Sequence, residues 1–297
     1  MLDLELIQNI NNIEQRFVVL HDRKYPVLIQ GSGKIPCLCI GIGSLMQKTL
    51  SPEFKKLFIV YSTDLYWVNK DRLQDASQLT MQRIIADIFE IIKQLNLTNP
   101  ILFGHSNFGI VAAEAAKNPE VNIAGVIMMA SAPAWNITVI QMAREYFDQN
   151  ASAERKANDQ QRKQQFQLIK KPNESEISLN YYEADSARYW GDFNISRQFL
   201  EKLWFDIEVD DDIINHFFNR LLPKHDLAMR INKITVPVIL LAGQFDFDSI
   251  PLILWQQFPQ PPHFTMVDCG KVGHWPNIEN PTIFDNAIKN WINTLTI

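Results

Sequence analysis

The chain has 297 residues, 46% of them hydrophobic, enough to bury one large domain or one domain carrying an insertion. Its formal net charge of −5 and pI near 5.7 argue against a surface built for nucleic acid or an anionic membrane. Three cysteines cannot make a disulfide framework, and no stretch reaches the length of a membrane span.

Residues 1–14 read as a short amphipathic lead-in without the basic and apolar regions of a signal peptide, so a cytoplasmic protein is expected. Two apolar runs, 17–20 and 27–29, flank a polar stretch and predict an antiparallel hairpin at a sheet edge; Pro26 suits such an edge. Gly31-Ser32-Gly33-Lys34 lacks the spacer and following helix of a phosphate loop and reads as a turn. Pro36-Cys37-Leu38-Cys39-Ile40 is a continuous apolar run, as expected of a strand buried on both faces, with its two thiols in the core. It runs into the glycine-rich loop Gly41-Ile42-Gly43-Ser44. A second buried strand follows at 57–61, then an amphipathic helix at 75–95 with Ile84, Ile85, Ile88, Ile91 and Ile92 on one face.

Ile101-Leu102-Phe103-Gly104-His105-Ser106-Asn107-Phe108-Gly109 is an apolar strand that stops at a serine and turns at once into a helix, expected at 110–117. Such a turn lifts a serine hydroxyl clear of the sheet and aims the next helix N-terminus at developing negative charge. Gly104 fills the first small position of G-x-S-x-G, but Phe108 stands at the second. A further strand is predicted at 126–129. Strands alternating with helices imply a mostly parallel, doubly wound α/β sheet.

From 135 to 230 the pattern shows helices and polar stretches only, which predicts a helical cap of residues 135–230 between core segments 1–134 and 231–297. Within it, 149–176 reads as a solvated helix face or a mobile segment. An aromatic, acidic region then carries Tyr181, Tyr182, Glu183, Tyr189, Trp190 and Trp204. The sheet pattern resumes with a strand at 236–242, a helix near 250–258, a strand at 265–267 and a closing helix at 281–295. Inserted after the strand that follows the serine helix, the cap can fold over the serine.

A serine nucleophile needs a base to take its proton and a buried acid to hold that base. Gly243-Gln244-Phe245-Asp246 and Gly273-His274-Trp275-Pro276 each follow a predicted strand, so their side chains can converge on Ser106 at one sheet edge. The order Ser106, Asp246, His274 is that of α/β-hydrolases. Asp248 is the rival acid. The backbone N–H groups of Asn107 and Ile42 are the expected oxyanion donors.

The chain resembles α/β-hydrolases of the proline iminopeptidase-like group over nearly its whole length. The resemblance is carried by residues 103–109, by Ala187-Arg188-Tyr189-Trp190 with Leu203-Trp204, by 237–246, and by Gly273-His274-Trp275-Pro276-Asn277-Ile278-Glu279-Asn280-Pro281, similar to G-H-x-P-x-x-E-x-P. The family's G-G-S-W-G and H-G-G-P-G stretches are absent. The resemblance implies the α/β-hydrolase fold and a capped, cofactor-independent serine hydrolase acting on a small ester, amide or short peptide. An aminopeptidase would further need a carboxylate for the substrate amine, for which Glu183, Asp185 and Glu208 are available. Tyr189, Trp190, Trp204 and Trp275 are the expected aromatic walls. A carboxylesterase and a non-catalytic ligand-binding protein stand as alternatives, and neither monomer nor homodimer is favoured.

Overall fold

The computed structural model describes residues 7, 13–68, 73, 75–167, 177–226, 231–249, 251–260 and 263–295; most of the expected N-terminal lead-in lies outside them. Eight strands form one sheet: β1 (Glu14–Leu20), β2 (Arg23–Gln30), β3 (Ile35–Ile40), β4 (Phe58–Ser62), β5 (Ile101–His105), β6 (Gly125–Met129), β7 (Val238–Ala242) and β8 (Phe264–Asp268). Their order is β1-β2-β4-β3-β5-β6-β7-β8, with β2 antiparallel to both neighbours and every other pair parallel.

The β1–β2 hairpin turns on His21 and Asp22, both with positive φ (49° and 62°), as in the turn type whose twist matches that of paired strands. Of the two hairpin strands only β1 lies at the sheet edge, since β2 also pairs with β4. Pro26 is nonetheless tolerated on β2, because pairing to β4 starts at Leu28 and asks nothing of a donor at 26. Strands β5, β6 and β7 are buried throughout. Their side chains alternate between two apolar clusters, Leu102, Val126, Met128 and Leu240 on one face, Phe103, Ile127, Met129 and Leu241 on the other. That is why these strands read as unbroken apolar runs.

Helix α3 runs Met81–Gln94 and not from 75, because Thr80 caps it by accepting from the Arg83 N–H at 3.1 Å; Asp75 caps a separate short turn. It packs beside α4 (Phe108–Ala115), while α13 (Pro281–Ile292) covers the other face of the sheet. The helix expected at 250–258 is the short α11 (Leu252–Trp255), and residue 250 lies outside the described residues.

Between β6 and β7 come α5 (Ile137–Asn150), α6 (Ala153–Gln167), α7 (Ile177–Ala184), α8 (Ser186–Tyr189), α9 (Arg197–Trp204) and α10 (Asp211–His216). The polar α6 is more than a solvated face. Arg155 and Asp159, one turn apart, are both buried. Arg155 donates to the carbonyls of Ala187, Trp190 and Gly191 at 2.8, 2.7 and 2.6 Å. Asp159 accepts both arms of the Arg188 guanidinium at 3.0 Å. Two buried polar positions in a strongly polar helix leave no apolar stripe, so the sequence gives no sign of them. The stretch 168–176 lies outside the described residues.

Candidate active site

Strand β5 delivers Ser106 to the carboxyl edge of the sheet, where the chain reverses with Ser106 at φ 55°. A side chain in this left-handed region costs about 1–2 kcal/mol, and surrounding contacts must hold it there. The Ser106 N–H donates to the Met129 carbonyl at 2.8 Å, and α4 begins two residues later. Gly104 and Gly109 make the reversal possible. A Cβ on Gly104 would stand 2.3 Å from the Phe108 carbonyl oxygen, and one on Gly109 would stand 1.9 Å from Ser131 Oγ. Phe108, at the position where the family has a second glycine, is accommodated by Gly41: that residue has φ 109°, and a Cβ there would lie 2.5 Å from the Phe108 ring. The ring continues into aromatic contacts with Trp67 and Phe217 at 4.9 and 5.3 Å. The substituted position is thus matched by the glycine-rich loop beneath it. Gly104→Ala should destabilise the fold by about 1–3 kcal/mol, as overpacking against backbone does, read as a lower denaturation midpoint at unchanged m-value. Wild-type stability in that variant would mean the elbow is looser than these contacts require.

Ile42 and Asn107 each precede a helix, α1 (Gly43–Thr49) and α4. Among the described residues, neither backbone N–H is used in a hydrogen bond. Both residues line the same cavity as Ser106, and the loop carrying Ile42 is fixed by Ser44 N–H donating to Asp64 at 2.8 Å.

His274 and Asp246 are both fully buried, and His274 Nδ1 donates to Asp246 Oδ2 at 2.9 Å. The other oxygen, Asp246 Oδ1, accepts from the N–H groups of Asp248 and Ser249 at 3.2 and 2.9 Å. Burial disfavours the imidazolium, but the Asp246 charge and hydrogen bond outweigh it and raise the His274 pKa above its ordinary value. His105 is the opposite case. Burial and the nearby His274 push its pKa well below the ordinary value, and its neutral ring donates from Nε2 to the His274 carbonyl at 2.9 Å. The elbow therefore holds the histidine loop directly. The cap holds it too, since the His274 N–H donates to the Tyr189 carbonyl at 2.6 Å. Glu279 joins the same parts, accepting from Gly191 N–H at 2.6 Å and Gly273 N–H at 2.9 Å.

Ser106 and His274 line one cavity of about 430 Å³, closed on the cap side by Tyr181, Tyr182, Tyr189 and Trp204. An imidazole held by a buried carboxylate beside a serine, with free N–H groups at a helix start, can take the serine proton and receive an oxyanion. Tyr189 and Trp204 thus line the cavity of Ser106. The other expected walls do not. Trp190 and Trp275 are fully buried with rings 6.2 Å apart and nearly parallel, Trp275 packing on His105 at 4.0 Å, so they form the floor behind the histidine. Glu183 is occupied by Arg197 at 2.6 Å and Arg162 at 3.9 Å, outside the cavity lining. Asp185 pairs with Lys163 at 3.1 Å. Asp248, weighed only as a rival to Asp246, makes no such bond to the imidazole and instead lines the cavity. Its place two residues past Asp246 was the available signal. Among the described residues no cluster of three or more His, Cys, Asp or Glu could hold a metal ion, and no helix is long and apolar enough to cross a membrane.

No protein-family model matches the chain. It is 24% identical over 267 residues to the AB hydrolase superfamily protein YclE of Bacillus subtilis (strain 168), covering 89% of this chain and 93% of that one. The structure is similar to a proline iminopeptidase of Mycobacterium smegmatis (TM-score 0.70, 15% identity, 94% of this chain and 98% of that one). It is likewise similar to the esterase EaEST of Exiguobacterium antarcticum (TM-score 0.67, 16% identity, 95% of this chain and all of that one, 100%).

Proposed function

We propose that this chain, whose fold is that of the α/β-hydrolases, is a serine hydrolase that cleaves a small ester or amide through an acyl-enzyme. The observation that carries this reading is the 2.9 Å His274–Asp246 bond, fully buried, opening with Ser106 at its left-handed turn onto one cavity. The esterase and proline iminopeptidase among its structural relatives act on substrates of this general kind.

In the proposed reaction, Ser106 Oγ attacks the substrate carbonyl while His274 Nε2 takes its proton. Asp246 keeps the Nδ1–H tautomer and stabilises the imidazolium. The N–H groups of Asn107 and Ile42 bind the tetrahedral oxyanion, each worth about 10²-fold or more in rate. His274 then protonates the leaving group, and water repeats the sequence to release the acid. The aromatic cap wall excludes bulk water and shapes the acyl or leaving-group side. Glu183 and Asp185, two of the three cap acids expected to serve an aminopeptidase, are both ion-paired.

The test is turnover of a short-chain p-nitrophenyl ester and of proline p-nitroanilide by the wild type and Ser106→Ala. Ester cleavage that requires Ser106 is expected, and additional Ser106-dependent cleavage of the anilide would extend the reading to aminopeptidase action. No reaction with either substrate, together with no labelling of Ser106 by a fluorophosphonate, would overturn it in favour of a ligand-binding protein.

A further inference from the structure

We propose that Asp248 receives a positively charged group of the substrate, so that the cavity takes esters or amides carrying a protonated or quaternary nitrogen. This rests on the serine hydrolase reading above. It goes further by assigning a charge to the substrate and a residue that selects it.

Asp248 stands in the cavity wall that also holds Ser106 and His274. It is not needed to orient the imidazole, because Asp246 Oδ2 already accepts from His274 Nδ1 at 2.9 Å. Nor is it a member of a structural ion pair: among the described residues no Lys or Arg pairs with it. The cap cations near this region are committed elsewhere, Arg188 to Asp159 at 3.0 Å and Lys163 to Asp159 and Asp185 at 2.9 and 3.1 Å. A half-buried carboxylate left without a cation is costly, and one that faces a substrate cavity is relieved when a cationic ligand arrives. Burial, helped by the Asp246 charge, pushes its carboxyl up to about 6 against the pull of His274 and a hydrogen bond from Tyr189, so it is ionised above neutral pH.

The wall beside Asp248 fits such a ligand independently. Trp204, Tyr182 and Tyr189 form a continuous aromatic surface, with centroids 4.9 Å apart at each step, ending on His274 at 5.1 Å from Tyr189. Burial holds the Tyr182 and Tyr189 hydroxyls well above their ordinary pKa, so the rings stay neutral. Aromatic faces around a carboxylate attract a desolvated ammonium through the ring quadrupoles. Among the described residues, the lining contains no Lys or Arg. An anionic substrate would meet the Asp248 carboxylate.

The experiment compares the labelling rates of two fluorophosphonates of the same shape, one ending in trimethylammonium and the other in its neutral tert-butyl isostere. Labelling forms a bond from Ser106 Oγ to phosphorus, expels fluoride and leaves the serine proton on His274. Rates are read at pH 8 by mass spectrometry of the Ser106 peptide in the wild type and in Asp248→Asn, each protein giving its own internal ratio. The wild type is expected to react about tenfold or more faster with the cationic probe, and the ratio should fall close to one in Asp248→Asn. A wild-type ratio near or below one, or a ratio unchanged by Asp248→Asn, overturns the assignment of Asp248 while leaving the nucleophile intact. If neither probe labels Ser106, the serine hydrolase reading itself fails, and this inference with it.

Discussion

Ser106→Ala is expected to lower kcat on any productive substrate by about 10⁴-fold or more while leaving the protein folded. The contrast follows from where the hydroxyl sits. No structural hydrogen bond of Ser106 Oγ is found among the described residues; the backbone N–H, through its 2.8 Å bond to Met129, ties the turn to the sheet. Alanine keeps that N–H and adopts the same φ of 55° at similar cost, so the midpoint of thermal unfolding should move by no more than about 2 °C. What disappears is the atom proposed to form the acyl-enzyme. Residual rate would come from the oxyanion donors and from binding alone, which by themselves give a modest acceleration over water. Steady-state kinetics on the purified variant, beside a melting curve, make the comparison. Full turnover by a well-folded Ser106→Ala protein would remove the nucleophile assignment and everything built on it.

The second large effect belongs to Asp246→Asn, for which kcat/KM should fall by about 10⁴-fold. The local hydrogen bonds dictate why an isosteric change is so severe. Asp246 Oδ1 is claimed by the N–H groups of Asp248 and Ser249, so an asparagine must keep its oxygen there and turn its NH₂ toward His274 Nδ1. Two donors would then face each other unless the imidazole moves its proton to Nε2. In that tautomer the nitrogen expected to face the serine carries a hydrogen and cannot accept another. The pH profile supplies an independent readout. The base must be neutral, so activity rises with pH through the His274 pKa, which Asp246 raises above the ordinary histidine value in the wild type against the opposing effect of burial. Removing that charge leaves burial opposed only by the more weakly acting Asp248 and Glu279, and should shift the acid limb of kcat/KM to lower pH. A loss smaller than about tenfold, with an unmoved acid limb, would instead make Asp248 the orienting acid.

The hydrogen bonds around His274 also explain why cap and core are coupled. The loop is pinned from below by His105 and from above by Tyr189, and Glu279 ties Gly273 to Gly191 of the cap segment. Arg155 fixes the same segment through three carbonyls. Displacement of the cap would therefore be felt at the imidazole through backbone contacts alone.

Much of this molecule was legible in its one-dimensional pattern. Buried strands β3, β5, β6 and β7 appear as almost unbroken apolar runs because both faces of a parallel sheet are covered, the polar His105 standing only at the carboxyl end of β5. The loops bearing Ser106, Asp246 and His274 were recognisable because tight turns at strand ends demand glycine at fixed offsets, as at Gly104, Gly243 and Gly273. Tertiary structure alone decided the rest. Whether Trp190 and Trp275 face a substrate or a core depends on which side of the His274 loop they fall, and apolarity is the same in either place. Phe108 looked like a defect in the elbow until Gly41, 67 positions earlier in the chain, was seen beneath its ring. Arg155 and Asp159 hide in a polar helix because a buried charge satisfied by distant carbonyls or a guanidinium has no local signature. The same holds for Glu183 and Asp248. Both are acids near aromatic residues in sequence, and only three-dimensional placement gives one to arginines and leaves the other in the cavity.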